Sequence, residues 1–391
     1  MNIVRIMLCF LAIPLLLFVY SCSSNSNSQE DIKKIIISSD VAAGLVNGEG
    51  GGPSDTDDSY AIELMTTYVD AEVLAVVSVK GNNIGPATFF AAQETFITTP
   101  GFWNGPVFEG ALLPLAIPED VIWTGSINGD ESLPQLCIND GVKEIASLLE
   151  DSDELVTILA LGPLTDIACV VLNFPEVLDK IEEIVFLGGR APNQVLAYPF
   201  APDVIFTDFN IAQDLRATQV VLEQTTVPFT FINFSISSST LYTDDQIDSL
   251  GDSDCSARAQ LLSRASRDRL AELAELLGMD VMDTFDANAA YYVAKPELFT
   301  CEEAGFDFVE CTIGTPGVYN GEDNACAGHG PDQPTDLNIE NEQLWVDPSF
   351  LEMSRTVNSC VSYINETELE RFETGTIPVF CDGGVWTDLP E

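Results

Sequence analysis

Short apolar runs alternate with amphipathic stretches along much of the chain. Lys33-Lys34 lead into Ile35-Ile36-Ile37, which stops at Ser38-Ser39-Asp40, the pattern of a short buried strand. A Gly-rich segment over 44–53 must be loop. Asp57-Asp58 then open an amphipathic stretch over 59–68, which predicts a helix with acid at its positive end. Residues 73–79 predict the next strand, closed by Gly81-Asn82-Asn83, and a helix is expected over about 86–94. Residues 156–161 read as a strand followed by Gly162-Pro163 and a helix to about 172. Residues 184–187 form a strand pattern ending in Gly188-Gly189, residues 214–222 look helical, and residues 227–234 look like a strand.

Apolar runs separated by helical stretches imply an α/β fold with a mostly parallel central sheet flanked by helices, a Rossmann-like open sheet. Ligands of such sheets sit at the carboxyl ends of the strands. Asp40, Asn82 and the Gly162 and Gly188 turns all fall at such ends.

Composition narrows the chemistry. With 391 residues, 46% of them apolar, the chain can bury a large core. Fifteen Lys+Arg against 62 Asp+Glu give a net charge of −47. That surface repels phosphate backbones, which argues against nucleic-acid binding and favours cations.

The first 22 residues read as an export signal: Arg5, an apolar run over 6–20 too short for a bilayer span, and Val19-Tyr20-Ser21-Cys22, which resembles a lipobox with a lipid anchor on Cys22. A polar tether over 23–32 precedes the domain at 33–370, and the protein is expected to be periplasmic, cell-surface or secreted. Cysteines 137, 169, 255, 301, 311, 326, 360 and 381 lie beyond the signal, five of them after residue 300. Disulfides are expected in an oxidising compartment, with a stapled Cys-rich part over 300–391. No CxxC pair is present, which argues against structural zinc.

Asp40 ends a strand while Asp57 and Asp58 begin a helix, so the loop between them brings three carboxylates together. Left unpaired they would raise one another's pKa. A hard divalent cation resolves the repulsion, and calcium suits an all-oxygen donor set. The bland alternative is helix capping by Asp57 among surface acids.

Here the sequence resembles the inosine/uridine-type nucleoside hydrolases. Ile36-Ile37-Ser38-Ser39-Asp40 and Asp57-Asp58-Ser59-Tyr60-Ala61 resemble that family's aspartate signature, with a Gly-rich insertion between the two parts. Val79-Lys80-Gly81-Asn82, Gly105-Pro106-Val107, Leu161-Gly162-Pro163-Leu164-Thr165-Asp166-Ile167-Ala168, Asp208-Phe209-Asn210-Ile211 and Asp286-Ala287-Asn288 resemble further family motifs in the right order. The resemblance implies calcium held by Asp40, Asp58, Asp286 and the Leu161 carbonyl. It implies Asp40 as general base, Asp57 and Asn82 on the ribose hydroxyls, and Asp208 and Asn210 on the 5′ side. The substrate would be a small ribonucleoside, and family members are commonly dimers or tetramers, so a homo-oligomer is expected. Carboxylates facing the ribose suit an oxocarbenium-like transition state.

Three positions depart from the pattern. Phe285 stands where the family often has a His just before the last metal aspartate, Thr124 replaces another family His, and Asp208 is shorter than the family's Glu. The sole histidine is His329. The leaving-group acid is therefore open. Competing readings are a hydrolase of another N-ribosyl compound and a calcium- or nucleoside-binding surface protein impaired in catalysis. Retention of Asp40 argues against a mere binder. A serine hydrolase is disfavoured by the lack of Gly-x-Ser-x-Gly.

Overall fold

A computed structural model describes residues 32–43, 45, 56–83, 88–89, 91–92, 103–115, 137–192, 194, 196–198, 201–205, 208–310 and 342–390. The export signal with Cys22, the tether, most of the Gly-rich insertion, Thr124, Cys311, Cys326 and His329 lie outside the described residues. So does much of the helix expected over 86–94, although Thr88, Phe89, Ala91 and Ala92 are helical.

One compact unit spans Ile32–Glu391. Its strands, in chain order, are β1 (Lys33–Ser39), β2 (Ala71–Ser78), β3 (Val107–Glu109), β4 (Val156–Ala160), β5 (Ile181–Leu187), β6 (Ala197–Tyr198), β7 (Ala201–Ile205), β8 (Phe229–Ile232), β9 (Leu241–Thr243), β10 (Val281–Asp283), β11 (Phe299–Glu310), β12 (Glu342–Asp347) and β13 (Val357–Tyr363). The helices are α1 (Asp57–Thr67), α2 (Asp140–Asp151), α3 (Thr165–Asn173), α4 (Phe209–Gln213), α5 (Leu215–Gln224), α6 (Phe234–Ser237), α7 (Asp244–Leu250), α8 (Ala257–Leu277), α9 (Phe285–Ala294) and α10 (Glu366–Asp382). No described helix is long and apolar enough to cross a membrane.

Among the described residues nine strands form the main sheet in the order β12-β11-β13-β8-β5-β4-β1-β2-β3. From β13 through β3 every neighbouring pair is parallel, while β11 runs antiparallel to β13 and β12. The expected parallel sheet is present, and an antiparallel annex extends it at one edge. Strand β4 is buried along its whole length and apolar at every position but Thr157, as expected of a central strand covered on both faces. One apolar cluster packs α1, α9 and α10 on one face, and a second packs α2, α3 and α5 on the other. Helix α2 shows how the sequence sets this: Asn139 caps it by accepting from the Val142 N–H at 2.9 Å. Val142, Ile145, Ala146 and Leu149 line its buried stripe.

Because β2 lies on one side of β1 and β4 on the other, the winding direction reverses at β1. That reversal opens a crevice beyond the carboxyl ends of β1 and β4. Among the described residues three disulfides brace the fold: Cys137–Cys169, Cys255–Cys381 and Cys301–Cys360. Cys301–Cys360 crosses from β11 to β13 and so fixes the annex to the parallel sheet. Buried Arg258 pairs with buried Glu63 at 3.1 Å, tying α8 to α1.

Candidate active site

The crevice collects four acids from three segments. Asp40 leaves the end of β1, Asp57 and Asp58 form the first turn of α1, and Asp286 lies in the first turn of α9. All four are buried, none more than 3% exposed. The partial positive charge of two helix N-termini offsets part of the cost of placing carboxylates there. Oxygen atoms of Asp57, Asp58 and Asp286 lie within 4.8 Å of one another. The backbone fixes this arrangement: Asp57 accepts from the Asp286 N–H at 3.1 Å and from the Asp58 N–H at 3.1 Å. The Ser39 hydroxyl donates to Asp58 from the end of β1.

Asn82 joins Asp40 to this cluster. Its backbone N–H donates to Asp40 Oδ2 at 2.6 Å, and its side-chain amide donates to Asp58 Oδ2 at 3.2 Å. Gly81 and Gly162 pack against the Asp40 carboxylate so closely that a Cβ on Gly162 would lie 2.7 Å from Asp40 Oδ1. The Leu161 carbonyl, beyond β4, accepts from Asn210 Nδ2 at 2.8 Å, and the same amide reaches the Leu187 carbonyl at 3.2 Å. Asp208 accepts from the Gly189 N–H at 2.8 Å. Gly189 holds a left-handed φ of 89°, so its N–H is presented by a backbone that a side chain would strain.

The eight residues singled out from the sequence thus occupy one end of one sheet. The three converging carboxylates are Asp57, Asp58 and Asp286, with Asp40 linked to them through Asn82. A divalent cation fits this donor set. Three buried, converging carboxylates repel one another unless positive charge sits among them, and hard oxygen ligands suit such an ion.

Residues 51–345 match the sequence model of the inosine-uridine preferring nucleoside hydrolases. The chain belongs to this family. The match begins after β1, so Asp40 lies just outside it. Among similar proteins, a pyrimidine-specific ribonucleoside hydrolase RihA of Photobacterium profundum is 27% identical over 205 residues, covering 50% of this chain and 62% of that protein. Uridine nucleosidase 1 of Arabidopsis thaliana is 33% identical over 171 residues, covering 39% of this chain and 50% of that protein. A pyrimidine-specific ribonucleoside hydrolase RihB of Escherichia coli is 25% identical over 305 residues, covering 74% and 91%. The chain therefore spans between half and two thirds of the length of the first two of these relatives and nearly all of the third. The fold is shared with a purine-preferring ribonucleoside hydrolase from Gardnerella vaginalis, at a TM-score of 0.60 and 17% identity over 89% of this chain and 99% of that one. It is also shared with a plant nucleoside hydrolase, at a TM-score of 0.59 and 19% identity over 88% and 99%.

Beneath the site of this nucleoside hydrolase family member lie groups that sequence reading did not single out. Lys80 is buried at the end of β2, donates to Gln213 Oε1 at 2.9 Å, and interacts electrostatically with Asp40 and Asp214. Burial pulls its pKa down and the two carboxylates oppose that. Asp166 accepts from the Ala111 N–H at 2.7 Å, and Asp214 accepts from the Leu115 N–H at 2.6 Å and from the Thr165 hydroxyl at 2.7 Å. The two acids therefore hold opposite ends of one loop. Lys80 and Asp166 lie inside the motif strings quoted above and Asp214 opens a predicted helix, but nothing in the sequence joins the three.

Burial pushes Asp166 up to about 7, with Asn139 and Ala111 pulling it down and Asp214 adding to the rise. Burial likewise pushes Asp214 up to about 6. A carboxyl whose folded pKa is raised stabilises the fold fully below its unfolded value near 4, and that contribution is lost as pH climbs through the folded value. The chain is therefore expected to melt lower at pH 8 than at pH 5. Asp166→Asn keeps the shape without the titration and should narrow that difference, raising Tm at pH 8 by about 2 °C or more. Calorimetry of both proteins at the two pH values checks this; a pH 5 to pH 8 difference in Tm as large in the variant as in the parent would refute the assignment.

Proposed function

We propose that this chain hydrolyses the N-glycosidic bond of ribonucleosides, giving free base and ribose, with calcium as its metal. The convergence of Asp57, Asp58 and Asp286 beside Asp40 and Asn82 is the observation that carries this reading. Relatives named for pyrimidine ribonucleosides and uridine support a ribonucleoside as substrate.

Asp58 and Asp286 would hold the ion together with Asp40 and the Leu161 carbonyl. When bound, the cation would lower the pKa of the attacking water and grip the ribose 2′- and 3′-hydroxyls. Asp40 takes the water's proton as general base. Asp57 and Asn82 hold the ribose hydroxyls, while Asp208 and Asn210 hold the 5′ side. As the C1′–N bond stretches, positive charge grows on the ribose, and the surrounding carboxylates stabilise that charge more than they stabilise the neutral sugar.

The test is release of ribose from a nucleoside panel with and without calcium. Release that depends on calcium and stops after chelation is expected. Release that persists after exhaustive chelation removes the metal from the mechanism. Gly81→Ala offers a finer check. A Cβ at Gly81 would overlap the Asp40 carboxylate. The variant is expected to fold and to lose about a hundredfold in kcat, the scale of a displaced catalytic group. A kcat within twofold of the parent would contradict the role of Asp40.

We infer further that the chain is exported. This rests on the short apolar run over 6–20 and on Cys22. Intact mass of the mature N-terminus distinguishes a lipidated Cys22 from simple cleavage.

A further inference from the structure

We propose that this site takes N-ribosyl compounds whose heterocycle already carries positive charge, such as an N-ribosyl pyridinium or an N7-alkyl purine riboside. The proposal rests on the hydrolase reading above and narrows its substrate class.

Phe285 heads α9 immediately before Asp286, one residue from the carboxylate cluster. Its ring centroid lies 5.9 Å from that of Phe234, with the planes 37° apart. Phe234 follows β8 directly after Asn233, so two separate elements deliver the pair to the same end of the sheet. Both rings are half-buried, and Phe209 stands exposed between Asp208 and Asn210. Aromatic faces attract a flat delocalised cation, and adjoining carboxylates add a longer-range pull. A net charge of −47 concentrates cations around the molecule before they reach the site.

The chemistry points the same way. When a neutral nucleoside is cleaved, the C1′–N electron pair leaves with the base, which becomes an anion unless a proton arrives in time. Groups titrating near neutral pH, imidazole above all, commonly deliver that proton. The chain has one histidine, His329; the raised carboxyls of Asp166 and Asp214 are fully buried against Ala111, Leu115 and Thr165; and the side chain immediately before Asp286 is phenylalanine, which has no proton to give. A cationic heterocycle needs none. Its C1′–N bond breaks, the electron pair returns to the ring nitrogen and cancels the charge, and the base departs neutral. The water oxygen bonds to C1′ and its proton passes to Asp40. The products are ribose, a neutral base and one proton, with no further reactant.

Matched pairs test this: nicotinamide riboside against its neutral 1,4-dihydro form, and 7-methylguanosine against guanosine at pH 6. Calorimetric titration reads affinity, and ribose release reads turnover. The cationic member of each pair is expected to bind about tenfold tighter, the size of a desolvated cation–aromatic contact. Phe285→Leu keeps the apolar bulk and should weaken the cationic member several-fold more than the neutral one, removing most of that preference. Phe285→His should raise kcat/KM on guanosine about tenfold or more and create a loss of activity as pH rises through the imidazole pKa. Equal binding of charged and neutral members, or equal weakening of both by Phe285→Leu, overturns the proposal. If no compound releases ribose, the hydrolase reading falls, and the calorimetric comparison still decides the cation preference. If all release ribose and bind alike, hydrolysis stands and the cation preference falls.

Discussion

Asp58→Ala and Asp286→Ala are each expected to abolish calcium binding and to lower ribose release about a thousandfold or more, while the fold survives. The two side chains come from the starts of α1 and α9, 228 positions apart in sequence, and meet with Asp57 inside 4.8 Å. Removing one leaves a two-carboxylate site that no longer satisfies a cation wanting six or more oxygens. The loss corresponds to about 4 kcal/mol of transition-state stabilisation, within the several kcal/mol that metal-ion catalysis supplies. Calorimetric titration with calcium and a ribose assay on the same preparations check both parts. A variant that binds calcium as the parent does would refute the metal assignment even if it were inactive.

Asp40→Asn is expected to behave differently. Its kcat should fall by about 10²- to 10⁴-fold, the range of a lost general base. Its calcium affinity should change by less than about tenfold, because the carboxamide retains one oxygen donor. The resemblance assigns Asp40 to both the metal and the water. The geometry places it beside the three converging carboxylates, joined to Asp58 through Asn82. Calcium affinity falling as steeply as in Asp58→Ala would make Asp40 chiefly a ligand. A kcat drop with affinity retained makes it chiefly the base. The amide is nearly isosteric, so the backbone N–H of Asn82 keeps an oxygen to bond, and the comparison reads charge rather than packing.

The parallel part of the fold was legible because central strands such as β4 are short, mostly apolar runs, here ending at a Gly-Pro turn. Asp40, Asp57 and Asp58 were legible because each sits where an apolar pattern starts or stops. The annex was not. Strand β13 reads Val-Asn-Ser-Cys-Val-Ser-Tyr, and its buried Ser359 and Cys360 erase the apolar signature although it extends the parallel sheet. Strand β11 carries Glu302, Glu303 and Asp307 in a sequence that reads as surface. The predicted strand over 227–234 proved shorter, at Phe229–Ile232, because the Asn233 side chain caps α6 by accepting from the Ser235 N–H at 3.0 Å. Asp166 and Asp214 were invisible as a pair because only the tertiary fold brings both to the loop at Ala111 and Leu115. Disulfide pairing was equally out of reach, since spacing does not reveal which thiols the annex brings together.

Two of those cross-links place a timing constraint on biogenesis. Cys255 finds its partner 126 residues downstream and Cys301 finds its partner 59 residues downstream. A ribosome working from the amino end therefore emits both thiols well before either mate exists. The helices α9 and α10 that cover one face of the sheet also follow β8, and covalent closure must wait for the last few dozen residues. A stop codon placed before Cys360 would leave Cys255 and Cys301 without their native mates, whatever the state of the rest of the chain.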